Sequence, residues 1–124
     1  MSGLASLLRS FGARISGSDL REGRETERLR RQGIPVHIGH DARHVPSRVD
    51  AVIVSSAIPE TNVELATARA RGIPVVPRLD ALRSLLALGR SVGIAGTHGK
   101  TSTVAMLTEI LRFSGYQPSF YAGG

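Results

Sequence analysis

Apolar positions along the chain fall into short blocks that alternate between helical and extended spacing. Residues 4–11 (LASLLRSF) predict a short apolar helix, and 13–17 (ARISG) a strand. Residues 25–32 predict a charged helix ended by Gly33, and 35–38 a short strand. The run 50–55 (DAVIVS) has the composition of a parallel strand buried on both faces. Residues 62–71 predict a helix and 73–76 a strand. Leu79, Leu82 and Leu86 share one stripe of a helix over 79–88. Residues 91–95 predict a strand. Residues 100–113 predict a helix with Val104, Leu107 and Leu111 on one face, and 119–122 the start of another strand.

Two stretches echo each other: RRQGIPVHI at 30–38 and RARGIPVVP at 69–77. Each places Arg in the last helical turn, Gly just after it and Pro two residues beyond. That is helix C-cap chemistry followed by a stop. The two read as similar helix-to-strand turns within successive βα units. The expected fold is α/β, a Rossmann-like, doubly wound parallel sheet. A boundary is expected near 88. Residues 1–88 read as one small α/β domain, and 89–124 as the opening β–loop–α unit of a second.

The chain is 41% hydrophobic and 21% charged, which is ordinary for a globular protein. No apolar run reaches the roughly 20 residues of a membrane span, so no membrane association is expected. The absence of cysteine excludes thiol chemistry and fits a cytoplasmic enzyme. The net charge of +6 raises the question of nucleic acid. The basic residues are scattered and aromatics are only 4%, which argues for a solvated basic surface without stacking platforms. No nucleic-acid partner is expected. Such a field suits an anionic, phosphate-bearing ligand. Lys100 is the single lysine among 16 basic residues.

That lysine sits in GIAGTHGKTSTV, residues 93–104. The common phosphate loop is G-x-x-x-x-G-K-[ST], whose first Gly would fall at Ile94. Gly96 and Gly99 still let backbone N–H groups approach phosphate oxygens, and the following helix adds the positive end of its dipole. Gly96, Thr97, His98, Gly99, Lys100, Thr101 and Ser102 are therefore the predicted nucleotide phosphate site. Lys100 is placed on the β- and γ-phosphates, with a Thr101 or Ser102 hydroxyl for Mg²⁺. His98 reads as a local contact of the loop rather than a general base.

Elsewhere, Asp19 ends an expected strand, where an acid can bond a ribose hydroxyl. Ser55 and Ser56 follow the apolar strand 50–55. Ligands of open α/β sheets lie beyond such strand ends, but the pair equally suits a helix N-terminal turn with Pro59 and Glu60 at early helical positions. In HIGHD (37–41), the histidine spacing is poor for a metal and reads as loop, with His40 near ligand. His44 reads as surface. The charged run Glu22 to Arg31 reads as a solvated helix face.

Taken together, MSGLA (1–5), SGSD (16–19), ERL…GI (27–34), IGHD (38–41), VIVSSAIP (52–59), RGIPV (71–75) and GTHGKTST (96–103) resemble the Mur ligases, ATP-dependent amide ligases of peptidoglycan precursor synthesis. The resemblance runs in order along essentially the whole chain. The GTHGKT form and the SSAIP element point to the member that joins L-alanine to UDP-N-acetylmuramate; the alternative is the member that recycles a murein peptide. The family's loop is G-T-x-G-K-[TS], which accounts for Ile94. The resemblance assigns the nucleotide phosphate site at 96–102 to ATP and implies ATP and Mg²⁺ as cofactors, with Lys100 on ATP phosphates as the catalytic cation and Thr101 serving Mg²⁺. It places Ser18, Asp19, His40, Ser55 and Ser56 toward the UDP-sugar. The implied reaction passes through an acyl phosphate that the amine of alanine attacks.

The resemblance also implies a strand and a diphosphate-binding glycine loop ahead of Met1, and further domains after residue 124. These residues alone are therefore expected to be an inactive fragment of marginal stability. Two other readings remain open: a non-catalytic nucleotide-binding module, or a small phosphate-loop kinase. The kinase reading lacks an acidic Mg²⁺ ligand after an apolar strand. No pattern specifies an oligomeric state.

Overall fold

The computed structural model describes residues 1–122. Helix α1 (Ser2–Ser10) leads to strand β1 (Gly17–Asp19), helix α2 (Arg24–Arg31) and strand β2 (Val36–Ile38). A 3-10 turn (Ala42–His44) precedes β3 (Val52–Val54), α3 (Val63–Ala70) and β4 (Val75–Pro77). Helices α4 (Arg78–Leu86) and α5 (Lys100–Phe113) complete the order. The α/β class expected from the pattern is what forms.

The echoed stretches adopt one geometry twice. After α2, Gly33 takes φ +78°, and after α3, Gly72 takes φ +68°. Only glycine adopts this left-handed conformation without strain. The next amide then reaches back over the cap: Ile34 N–H donates to the Leu29 carbonyl (3.0 Å), and Ile73 N–H to Ala68 (2.9 Å). The prolines that follow turn their carbonyls to the neighbouring strand. Pro35 accepts from Gly17 N–H (3.0 Å) and Pro74 from Val52 N–H (2.9 Å). Each echo thus ends a helix and sets the register of a parallel ladder, Gly17 opposite Val36 and Val52 opposite Val75.

The core is small. Leu4 and Leu7 of α1 are buried, as are Leu29 of α2 and Ile34, and α1 packs on α2. Leu65 and Ala68 of α3 are buried, and α3 packs on the 3-10 turn and on β4. Thr26 is also buried. Its hydroxyl donates to the Gly23 carbonyl (2.8 Å) and accepts the Gly23 N–H (2.9 Å), closing the first turn of α2.

Several expectations shift. The first strand lies at Gly17–Asp19 rather than 13–17, because the chain opposite residues 13–16 is the turn out of α2 and offers no extended partner. Strands β1 and β2 form one parallel pair and β3 and β4 another, so the expected single sheet is two sheets among the described residues. Strand β3 is half-buried rather than buried on both faces. Helix α4 faces β3 and β4 through Ala81 and its neighbours. Leu79 and Leu86 of the predicted stripe are 63% and 49% exposed. Leu82, the third residue of that stripe, is part-buried, so the buried face of α4 centres on Ala81 rather than on the leucines. Residues 91–95 and 119–122 form no strand, and none of their backbone amides is hydrogen-bonded to another strand. A strand exists only with a partner.

Candidate functional site

The C-terminal ends of β1 and β2 carry the densest polar group of the molecule. Ser18 points its hydroxyl at Glu64 Oε2 (2.7 Å) and lies 3.2 Å from His40 Nδ1. Glu64 Oε1 accepts the Asp41 backbone N–H (3.2 Å) and lies 3.1 Å from His44 Nδ1 and 3.5 Å from His40 Nδ1. The His37 ring stacks on His44, with centroids 4.3 Å apart and planes 6° from parallel. Glu64 enters this group from the first turn of α3, which Asn62 caps by accepting the Glu64 N–H at 2.8 Å.

Burial raises the Glu64 pKa, but the hydrogen bonds from Ser18, Asp41 N–H and His44 and the nearby His40 outweigh it. The net shift is downward and the group is a carboxylate at neutral pH. Asp41 accepts from the Arg43 backbone and guanidinium, which hold its carboxyl well below the usual range.

Of the residues predicted from sequence, Ser18 and His40 are brought into direct contact, and Asp19 lies beside them at the end of β1. The Asp19 carbonyl accepts Gly39 N–H (2.8 Å), and its exposed carboxylate accepts Arg21 N–H (3.1 Å). Ser55 and Ser56 sit just past β3 and make no hydrogen bond to that group. The Ser55 hydroxyl accepts Ala57 N–H (3.3 Å) and shapes a turn; Pro59 and Glu60 lie in the next turn, closed by Asn62 N–H on the Pro59 carbonyl (3.0 Å), and α3 starts only at Val63. The helix-start alternative for this pair is therefore not what forms.

Three contributors were not legible in the sequence. Glu64 reads locally as an acid favoured by a helix dipole, and nothing near it in the chain says that its side chain reaches β1. His44, expected at the surface, has a side chain only 19% exposed. Arg71 fastens the segment after the 3-10 turn to α3, donating to the carbonyls of Val45 (3.1 Å), Pro46 (2.5 Å) and Ser47 (2.9 Å). The charged face of α2 is as expected, with Arg28 paired to Glu25 at 2.9 Å and exposed.

The glycine loop forms a second locus. Gly99 takes φ +75° and caps α5, so the chain turns into the helix at the residue before Lys100. No side chain caps that N-terminus and no acid lies in its first turn, which leaves the leading amides open to an anion. A Cβ at Gly99 would meet nothing within 4 Å; what excludes other residues there is backbone conformation. Lys100 Nζ folds back to the Gly96 carbonyl (2.8 Å). Thr97, His98, Thr101 and Ser102 are exposed. This surface fits phosphate oxygens, with Thr101 and Ser102 offering hydroxyls to a cation. Among the described residues no cluster of three or more acids and histidines fit to hold a metal occurs. A surface hollow of about 610 Å³ lies instead against Glu109, Ile110 and Arg112 to Ser114 at the far end of α5 and holds none of these groups.

Parallel βαβ units with polar groups beyond the strand ends, and a glycine loop opening a helix, define an α/β protein of the nucleotide-binding type in architecture. Residues 1–90 match the Mur ligase family, catalytic domain, and the chain belongs to that family. It is 48% identical to the UDP-N-acetylmuramate–L-alanine ligase of Rubrobacter xylanophilus over 124 residues, all of this chain and 28% of that protein. It is 49% identical to the enzyme of the same name from Acidothermus cellulolyticus over 99% of this chain and 26% of that protein. The crystal structure of the Thermotoga maritima UDP-N-acetylmuramate–alanine ligase MurC superposes with a TM-score of 0.80 at 34% identity, covering 90% of this chain and 26% of that one. The chain thus spans about a quarter of the length of the relatives it matches.

Proposed function

We propose that this chain carries the UDP-sugar-binding and ATP-phosphate-binding portions of a UDP-N-acetylmuramate–L-alanine ligase of peptidoglycan synthesis. Residues 1–88 hold the nucleotide sugar and 89–124 open the ATP-binding unit. The observation that carries the reading is the GTHGKTST loop, turned by Gly99 into an uncapped helix N-terminus beside Lys100, in a chain similar along its whole length to ligases of that name.

ATP supplies the phosphoryl group that activates the sugar's carboxylate, and Mg²⁺ offsets its charge. The chain's own residues do the rest of the work at this end of the reaction. Amides of Gly96 to Gly99 and the start of α5 surround the phosphates. Lys100 exchanges its contact with the Gly96 carbonyl for phosphate oxygens. The Thr101 hydroxyl, or that of Ser102, would hold the Mg²⁺ ion. Catalysis by such groups is charge neutralisation and positioning. Ser18, Asp19 and His40 receive the UDP-sugar past β1 and β2, and Ser55 and Ser56 past β3. L-Alanine, the third substrate, has no residue assigned to it within this chain.

Chemical-shift mapping tests both sites. Titrating the labelled chain with UDP-N-acetylmuramate is expected to move amides at 18–19, 40 and 55–56, weakly and in the millimolar range. ATP with Mg²⁺ is expected to move 96–102. Silence in both sets up to the solubility of the ligands contradicts the reading. Alanine ligation by these 124 residues alone would contradict the division of labour.

A further inference from the structure

The hydrogen bonds around Glu64 settle where the protons of two histidines reside. Ser18 carries one hydroxyl proton, and it goes to Glu64 Oε2 at 2.7 Å. The same hydroxyl oxygen lies 3.2 Å from His40 Nδ1. With its proton committed, Ser18 meets His40 only as an acceptor, so Nδ1 is the ring nitrogen that bears hydrogen. Glu64 Oε1, 3.5 Å from that nitrogen, favours the same form. His44 Nδ1 lies 3.1 Å from Glu64 Oε1, and an ionised carboxylate only accepts. Its Nδ1 is therefore protonated as well, and the stacked His37 ring fixes its plane.

The bond made by one ring nitrogen decides what the other presents. His40 Nε2 has no hydrogen-bond partner among the described residues and is not buried. A neutral His40 in this form offers a lone pair there. The geometry points to Glu64 as a positioning residue that holds neutral His40 and His44 in the Nδ1–H tautomer, so that His40 Nε2 accepts a hydrogen bond from an O–H or N–H group of the nucleotide sugar. The tautomer rests on hydrogen bonds within the chain. The ligand contact rests on the proposed function.

In water a neutral imidazole side chain favours the opposite, Nε2–H form, so the tautomer reports whether Glu64 acts. Long-range ¹H–¹⁵N correlation spectra of the labelled chain, recorded without ligand across the alkaline range until the ring signals stop changing, read it directly. Nδ1–H is expected for His40 and His44. Glu64→Ala is expected to move both toward Nε2–H, because it removes the acceptor that both Nδ1–H groups face and frees the Ser18 hydroxyl to donate to His40 Nδ1. An Nε2–H pattern in the unsubstituted chain overturns the inference. So does an unchanged tautomer in a Glu64→Ala chain whose backbone amide spectrum is preserved. If that variant loses its fold, the unsubstituted spectrum alone decides. With UDP-N-acetylmuramate, Glu64→Ala is expected to weaken binding by roughly tenfold. Unchanged affinity alongside a switched tautomer overturns the ligand contact. Nδ1–H rings in a chain that ignores the nucleotide sugar would overturn the proposed function and leave the role of Glu64 standing.

Discussion

At the residue scale, Glu64 joins three parts of the chain that are remote in sequence: β1 through Ser18, the turn after β2 through His40 and Asp41, and the 3-10 turn through His44. Its side chain is 17% exposed, so these charge-assisted bonds are only partly screened. Replacing it with alanine is expected to cost about 2 kcal/mol at pH 7, measured by urea unfolding. The pH dependence has a definite sign. The folded-state pKa lies below the unfolded value of about 4, so the contribution is complete above that value. It is lost as pH falls through the folded pKa. The stability gap between the unsubstituted chain and Glu64→Gln should close in that window and stay constant above it. Asp41, held lower still by Arg43, titrates beneath it. Lys100 is the opposite case. Its amine touches only its own loop. Lys100→Met should leave the unfolding midpoint within about 0.5 kcal/mol of the original and abolish the shifts that ATP causes at 96–102.

At the element scale, the paired turns after α2 and α3 are the devices that fix both ladders. Gly33→Ala and Gly72→Ala each force an L side chain to positive φ and should destabilise by about 1 kcal/mol, read from denaturant midpoints. These turns were legible because a cap is local: Arg, Gly and Pro act within a few residues of one another. The orientation of α4 was not legible, since counting leucines could not reveal that Ala81 is the residue small enough to sit against β3 and β4. Helix α5 was legible in extent but not in packing. Of its residues only Thr108 is buried, while Met106, Ile110 and Phe113 are exposed. Amides of α5 are therefore expected to exchange with solvent at least about tenfold faster than those of α3, as hydrogen-exchange NMR would show.

At the scale of the whole molecule, two separate pairs of three-residue strands and eight buried apolar side chains among the described residues make a thin core. Conformational entropy opposes folding in proportion to the residues ordered, and so small a core offsets it narrowly. The unfolding midpoint of the chain by circular dichroism is expected below the roughly 45 °C at which ordinary mesophile domains begin to melt. A cooperative transition well above that temperature would contradict the prediction. The net charge of +6 is spread over this surface. A field of that sign suits phosphate-bearing ligands.

The sequence by itself determined the α/β class, the helices, the two capped turns, the glycine loop and the family. Each of these is written in neighbours along the chain or in an ordered set of motifs. Only the tertiary structure decided that the strands pair two by two, that 91–95 stays unpaired, and that Glu64 and His44 stand with Ser18 and His40. Those outcomes depend on what lies across space: a strand needs a partner, and a carboxylate on one helix finds its donors on elements some 20 to 46 residues away.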